Sequence, residues 1–360
     1  MLSELGELYT DYLLCAFGPV TATQLAQLSA GQLSHDRITR YLATEDFDSK
    51  SVWRAVKPSI RAIEQADGVL VVDDSIHPKP HMAESSLVCW HYSHTEGRVI
   101  KGINTLTALY AAQDARYPVA NVVIEKPKIV HNAEKQRFAL KALVSKHHHY
   151  QSMLRASINN GVSFRYVLND VWYACAENMT FVVEQGKQFV MPLKSNRRVA
   201  LSARQAAQDQ RQAISTLRLE EGEVVEIHLQ GVDFPLLLCQ QVFKNDDGSE
   251  GILYLVTSDL TLGYAQLTTL YQRRWSVECF FKSWKQHAAP GRSPAKTSRA
   301  QRNHLYLSLF AYIRLENMRV QGGDNHFALR ARLYLRATQA ALHELHVIRQ
   351  SLQVTPGLVA

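Results

Sequence analysis

Four consecutive aliphatic residues, Val69-Leu70-Val71-Val72, stop abruptly on Asp73-Asp74-Ser75. A run that short and that apolar is expected of a strand buried on both faces of a sheet. A second strand-like stretch, Phe164 to Leu168, stops on Asn169-Asp170. Two buried strands that each end on an acid restrict the chain to an α/β arrangement whose strand ends carry carboxylates.

The rest of the chain is organised around those strands. Residues 1–65 read as a helical domain, punctuated by Gly18-Pro19 and Ala30-Gly31, with Lys57-Pro58 marking its end. Within it, Thr21–Ser29 and Ser34–Ala43 flank a short turn, and Ser34 is a plausible N-cap of a segment carrying Arg37 and Arg40. That pair resembles a helix-turn-helix with a basic recognition helix, and it equally suits an ordinary helical hairpin. Strands near Ser86–His94 and Arg98–Tyr110 meet at Glu96-Gly97, and a long helix is expected over Asn132–Asn160. Three strands, a helix and a strand ending in an acid form the order of an RNase H-like core, with its first part over 66–185. A β-rich insertion covers 186–258, with strands at Val224–Leu229, Phe234–Phe243 and Ile252–Thr257 and a hairpin loop at Asn245-Asp246-Asp247-Gly248. The core resumes over 259–325, where a helix starts near Ser258 or Asp259 and another spans Ser298–Val320 after a basic linker. A basic helical segment closes the chain at 326–360.

One helix in the resumed core has an unusual edge. At about 100° per residue, Tyr271, Arg274, Glu278 and Lys285 fall within a stripe roughly 60° wide. Leu270, Val277, Phe280, Phe281 and Trp284 occupy the adjacent arc and would face a core. Taken alone, the stripe is a solvated charged edge, Asp73-Asp74 a strand-end turn and Asp170 a helix cap. Taken together they suit a site that holds metal ions and a phosphate. Two-metal phosphodiester chemistry needs a cluster of acidic oxygens around two hard cations. Adjacent strand residues point to opposite faces, so only one of Asp73 and Asp74 can join such a cluster. Asp73 is the expected ligand and Asp74 the alternative.

The spacing Tyr271-(2)-Arg274-(3)-Glu278-(6)-Lys285 resembles the signature of the insertion-sequence-4 group of bacterial DDE transposases. The likeness extends through Asp73-Asp74-Ser75, His91-Tyr92, Lys101-Gly102-Ile103 and Asp170-Val171-Trp172-Tyr173, roughly over 69–320. It implies Asp73, Asp170 and Glu278 as catalytic, metal-binding acids that use two Mg²⁺ ions, with Mn²⁺ able to substitute. It implies Tyr271, Arg274 and Lys285 as contacts to DNA phosphates, joined by Arg37 and Arg40 on the N-terminal helix. The partners implied are double-stranded DNA, as terminal inverted repeats and target, and a second copy of the chain on that DNA. The implied reaction is hydrolysis that frees a 3′-hydroxyl, followed by its attack on target DNA. One departure stands out. Members of the group stack a flipped base on an insertion-domain tryptophan, whereas here Trp172 and Trp275 bracket the insertion and only Phe189, Phe234, Phe243 or Tyr254 could serve. Rival readings are a related nuclease, an inactive copy, or a sequence-specific DNA-binding protein without activity.

Composition agrees. The net charge of +7 and pI near 9.1 favour a polyanionic partner. No apolar run is long enough to span a membrane, and five scattered cysteines without a CxxC pair suit a reduced cytoplasm. His77, His81, Cys89, His91 and His94 lack zinc-finger spacing and are not read as a metal site. His147–His149 is expected on a solvated helix surface, and Asp259 as a helix cap.

Overall fold

The computed structural model describes residues 2–16, 18–94, 96–132, 137–244 and 247–353. Four helices come first: α1 (Glu4–Cys15), α2 (Ala22–Leu28), α3 (His35–Thr44) and α4 (Ser49–Ile63). Each begins on a side chain able to accept an orphan N–H: Ser3, Thr21, Ser34 and Asp48 bond to Gly6, Gln24, Arg37 and Ser51. Pro58 does not end α4 as the sequence suggests but lies within it. It sits on the exposed face, so the Arg54 carbonyl it leaves unbonded can turn to water. The opposite face buries Val52, Val56 and Ile60.

The central sheet follows. Its strands are β1 (Val69–Pro78), β2 (Cys89–Ser93), β3 (Arg98–Ala112) and β4 (Ala115–Ile124), followed by a separate hairpin, β5 (Lys128–Asn132) and β6 (Arg137–Lys141). Then come α5 (Lys146–Asn159), β7 (Tyr166–Asn169), α6 (Ala176–Glu184), β8 (Gln188–Leu193), β9 (Arg198–Ala200), α7 (Ala203–Ala207), β10 (Gln212–Ala213), β11 (Val224–Leu229), β12 (Leu236–Lys244) and β13 (Glu250–Thr257). Two expectations are corrected here. The helix expected from Asn132 starts only at Lys146, because Ile129 and Val130 pair with Leu140 and Ala139 as strands; residues 133–136 lie outside the described structure. And β4 is a strand beyond those expected, with Pro118 inside it. This proline is tolerated on an edge strand paired only with β3, where Val119 forms a bulge opposite Ala108 and Leu109.

The result is a mixed α/β fold around one eleven-stranded mixed sheet, in the order β10-β9-β11-β12-β13-β8-β7-β1-β3-β2, with β4 also on β3. β1, β7 and β8 run parallel and the other pairs are antiparallel. The β-rich stretch therefore extends the same sheet through β13 and β8. Of the hairpin loop expected between β12 and β13, residues 245–246 lie outside the described structure.

Four helices complete the fold: α8 (Tyr264–Gln272), α9 (Trp275–His287), α10 (Ser298–Gly322) and α11 (His326–Gln353). α8 begins at Tyr264 on Gly263, not near Ser258 or Asp259. Asp259 is a buried turn residue that accepts from the Thr261 N–H and from Arg165 and Tyr166 at 2.7 Å each. α10 is buried on most sides, from Leu305 to Leu315, because α1, α3, α4 and β4 all pack against it. The first helices and the last third of the chain thus share a core. No helix among the described residues is long and apolar enough to cross a membrane.

His304 of α10 joins these parts. Its Nε2 meets the Ala289 carbonyl at 2.9 Å, so Nδ1 accepts from the Tyr9 hydroxyl at 2.9 Å. Burial holds its pKa down at about 4. Between pH 6.5 and 4 an unfolded histidine gains a proton that folded His304 refuses, so stability is full above pH 6.5 and falls as pH drops to 4. His91 and His287, held down by burial at about 3 and about 4, act in the same direction. Thermal melts from pH 7 to 4 should show a falling Tm, with the slope reduced in His304→Gln.

Candidate active site

The site begins with strand register. β1 and β7 pair in parallel from Val69↔Tyr166 to Val72↔Asn169, so the next residues on each strand are Asp73 and Asp170. Neighbouring strands are about 4.8 Å apart, which brings two acids 97 residues apart in sequence side by side. The end of β7 is pinned. Buried Asn169 accepts from the Tyr150 hydroxyl at 3.0 Å, and its amide donates to the Asp170 carbonyl at 2.8 Å. The Asp170 carboxylate accepts the Trp172 N–H at 3.0 Å.

Alternation along β1 separates the two adjacent aspartates. Asp73, Ser75 and His77 share the face covered by α9, where the His77 ring meets Trp284 edge-on with centroids 4.7 Å apart. Asp74 points to the other face. There it accepts from Lys146 Nζ at 2.7 Å, the Tyr173 hydroxyl at 2.6 Å and the Asn104 amide at 2.7 Å. Burial raises the Asp74 pKa, but Lys146 and the two other donors outweigh it and hold the carboxyl below its ordinary value. Asp73 is the reverse case. Burial, then the negative charges of Asp170, Asp74 and Glu278, push it well above the carboxylate range against one 2.7 Å bond from the Asp74 N–H. Burial also raises Asp170, opposed by the N–H groups of Trp172 and Tyr173.

The charged stripe does not lie on one helix. α8 ends at Gln272 and α9 starts at Trp275, and the residues between them keep right-handed backbone angles. Through this junction the N–H groups of Arg273, Arg274, Ser276 and Val277 bond carbonyls three residues back, a tighter turn than the α-helix. Arg273 anchors it by donating to the Asp67 and Ala111 carbonyls at 3.1 and 3.0 Å. Tyr271, Arg274 and Glu278 nevertheless converge. The Arg274 guanidinium lies 3.3 Å from Glu278, 3.8 Å from Asp73 and 5.8 Å from the centre of the Tyr271 ring. Tyr271 directs its hydroxyl at the Asn169 carbonyl, 3.5 Å away, and burial pushes its pKa up to about 12. Glu278 lies in the first turn of α9, where the helix dipole favours an anion, and Lys285 lies in its last turn. The apolar arc faces the core as expected, with Val277, Phe280, Phe281 and Trp284 buried.

The structure thus brings together Asp73, Asp170, Glu278, Tyr271 and Arg274. Lys285 lies two turns further along α9, toward His77. Arg37 and Arg40 are exposed on α3, a separate part of the fold. Among the described residues no three acidic, histidine or cysteine side chains close on one point as metal ligands do. Arg274 instead supplies the positive charge between Asp73 and Glu278. The donor chemistry still fits a hard divalent cation, since all three acids offer oxygen and the half-buried Asp73 sits amid excess negative charge.

Other expected residues take different roles. Phe189 and Tyr254 are buried and cannot stack on a base, while Phe243 is exposed. Cys89 and His91 contact each other at 3.2 Å, and His77 bonds Thr105 at 3.1 Å. His147 is not simply solvated: its ring lies parallel to Trp172 at 4.6 Å and meets the Asn178 amide at 3.1 Å. Sequence reasoning missed Lys146 and Asn104, and it named Tyr173 only as part of a motif. The signal available was the unpaired second acid, Asp74, which a buried site must neutralise.

Carboxylates on neighbouring strands, Asp73 within β1 and Asp170 just past β7, face an arginine and a glutamate on a helix. A family model described as DDE superfamily endonuclease matches residues 4–218, and one described as transposase DDE domain matches residues 131–314. Each covers more than half of the chain, which belongs to the DDE superfamily of transposases and endonucleases. No curated protein matches it. Among solved structures it is similar to the Drosophila P element transposase strand transfer complex, at 12% identity and a TM-score of 0.27, over 52% of this chain and 37% of that one.

The Arg273 anchor has a measurable worth. Arg273→Ala should lower stability by about 1–2 kcal/mol in urea unfolding, since it removes two charge-assisted bonds at a partly covered site. An unchanged midpoint would show that the junction holds without it.

Proposed function

We propose that this chain is a DNA transposase of the insertion-sequence-4 group, with Asp73, Asp170 and Glu278 as its catalytic acids. The observation that carries the reading is the β1–β7 register, which sets Asp73 beside Asp170 on a sheet whose Asp73 face is covered by the helix bearing Glu278. The order β4-β3-β1-β7-β8, with β4, β3 and β1 antiparallel and β7 and β8 parallel to β1, supports an RNase H-like core within this sheet. The insertion expected over 186–258 then begins after β8 (Gln188–Leu193), which this order counts as the core's last strand.

In this reading Asp73, Asp170 and Glu278 would hold Mg²⁺, which would supply Lewis-acid activation of the attacking oxygen and stabilise the leaving one. The chain's own residues do the positioning. Strand pairing fixes Asp73 and Asp170, and α9 presents Glu278 from the opposite side. Arg274 has a planar fork suited to bidentate phosphate contact, and it would exchange its carboxylate partners for the DNA backbone as the acids take up the cation. Tyr271 supplies a hydroxyl donor and Lys285 a point charge further along the strand. Double-stranded DNA is the substrate, as transposon ends and target, and two copies of the chain act on paired ends.

Nicking of a plasmid that carries the DNA flanking this gene, with Mg²⁺ or Mn²⁺, tests the assignment. Wild type should cut and Glu278→Ala should be slower by about 100-fold or more. Equal cutting by both sinks the site assignment. A second measurement addresses the N-terminal helix. Replacing Arg37 and Arg40 together by alanine should weaken binding to duplex DNA and reduce the slope of log K against log salt by about 2. An unchanged slope would leave α3 as a plain helical hairpin.

A further inference from the structure

Asp73 serves as a ligand in the proposed function and its neighbour does not, yet Asp74 is the most heavily hydrogen-bonded carboxylate at the site. Its three donors come from three separate elements: Asn104 from β3, Lys146 from the first turn of α5, and Tyr173 from the turn after β7. Asp74 follows Asp73 directly, and Tyr173 is three residues beyond Asp170. The 2.6 Å bond from the Tyr173 hydroxyl to Asp74 Oδ1 is therefore a cross-link between the two acid-bearing segments, made just where the β1–β7 backbone ladder stops.

The surroundings show that this cross-link is built. Tyr173 is fully buried and stacks on Tyr150 with centroids 5.6 Å apart. Tyr150 in turn bonds Asn169, the last paired residue of β7. Asn104 is buried, donates its amide to Asp74 and leaves its own Oδ1 without a partner. An unpartnered buried carbonyl is costly, and the amide is oriented to serve Asp74 despite that cost. Asp74 also gives back: its backbone N–H donates to the Asp73 carboxylate at 2.7 Å. Fixing the Asp74 side chain fixes that peptide, and the peptide aims Asp73.

We propose that Tyr173, through Asp74, is a positioning residue that holds Asp73 and Asp170 in register as metal ligands, with Lys146 neutralising Asp74 so that its charge does not compete for the cation. The proposal rests on the assignment of Asp73 and Asp170 as ligands. Neither Tyr173 nor Lys146 touches the substrate in this account.

The test compares Tyr173→Phe, Lys146→Met and Glu278→Ala with wild type in the full-length chain. Mn²⁺ is titrated without DNA and followed by electron paramagnetic resonance, and Mg²⁺-dependent nicking is measured as kcat and KM for DNA. Supporting partners of metal ligands are typically worth 10–100-fold in affinity. Tyr173→Phe should weaken Mn²⁺ binding by about tenfold and lower kcat while KM for DNA stays put. Lys146→Met should also lower kcat, because an unneutralised Asp74 draws the cation away from Asp73 and Asp170, and a thermal melt of each variant establishes that it is folded at the assay temperature. A merely structural role would lower Tm and leave Mn²⁺ affinity and kcat of the folded protein unchanged, which would overturn the proposal. If Glu278→Ala loses Mn²⁺ binding and nicking but Tyr173→Phe loses neither, the clamp fails and the acid assignment stands. If Glu278→Ala changes neither, or wild type binds no Mn²⁺, the acid assignment fails and the clamp with it.

Discussion

Four residue pairs, from Val69↔Tyr166 to Val72↔Asn169, hold the functional half of this molecule together. They are the parallel joint between the antiparallel group β1, β3 and β4 and the strands that continue through β8 into the β-rich part of the sheet. Parallel pairing between segments this far apart needs a long crossover, and here α5 provides it. The aliphatic residues of β1 are entirely buried, so a slip of one residue would bury Asp73 or Asp170 in the core. Register and burial thus reinforce each other. β1 does not stop on its acid as the sequence suggests: it runs on to Pro78 beside β3, and Asp73 stands at the level where β7 ends and no longer flanks β1.

Charge balance is the second constraint. Four carboxylates, Asp73, Asp74, Asp170 and Glu278, lie within one another's field. The fold handles them unequally. Asp74 receives an ammonium and two neutral donors, and Asp170 receives backbone N–H groups. Asp73 and Glu278 share Arg274 at 3.8 and 3.3 Å, distances longer than a tight bidentate pair. The loosely held pair is the one facing the helix, and the tightly held acid faces away. In the proposed function that asymmetry separates an acid with a structural task from acids left open to a cation, although the two aspartates are adjacent in sequence.

Much of this was legible because strand ends and helix faces leave strong local patterns. The apolar run before Asp73, the strand before Asp170, and the arc Val277, Phe280, Phe281, Trp284 each follow from periodicity. The failures share a physical origin in tertiary context. Pro118 lies in a strand because it is on an edge, and Pro58 in a helix because its face is exposed; neither fact is local. The 128–141 segment gathers its apolar residues at its two ends, Ile129-Val130 and Phe138-Ala139-Leu140, without an alternation that would distinguish a hairpin from the start of α5. The break at Arg273 and Arg274 depends on carbonyls of Asp67 and Ala111, 206 and 162 residues away. The partners of Asp74 come from residues 104, 146 and 173, so no spacing rule could have gathered them.

The helix junction shows how such long-range anchoring shapes the site. A continuous α-helix would carry Tyr271 and Glu278 on a straight stripe parallel to its axis. The three-residue bonds through Arg273 and Arg274 advance the chain by about 120° per residue in place of 100°. A few such residues rotate α8 relative to α9 by tens of degrees, and Tyr271 thereby reaches the Asn169 carbonyl while Glu278 stays beside Arg274. Arg273 holds the turn from the sheet side, and Arg274 faces the acids. Two adjacent arginines divide the work: one fixes the backbone, and the other sets the charge that the carboxylates see. The stripe is therefore a tertiary arrangement of two helices on the end of a sheet, and its spacing in sequence records that arrangement only in projection.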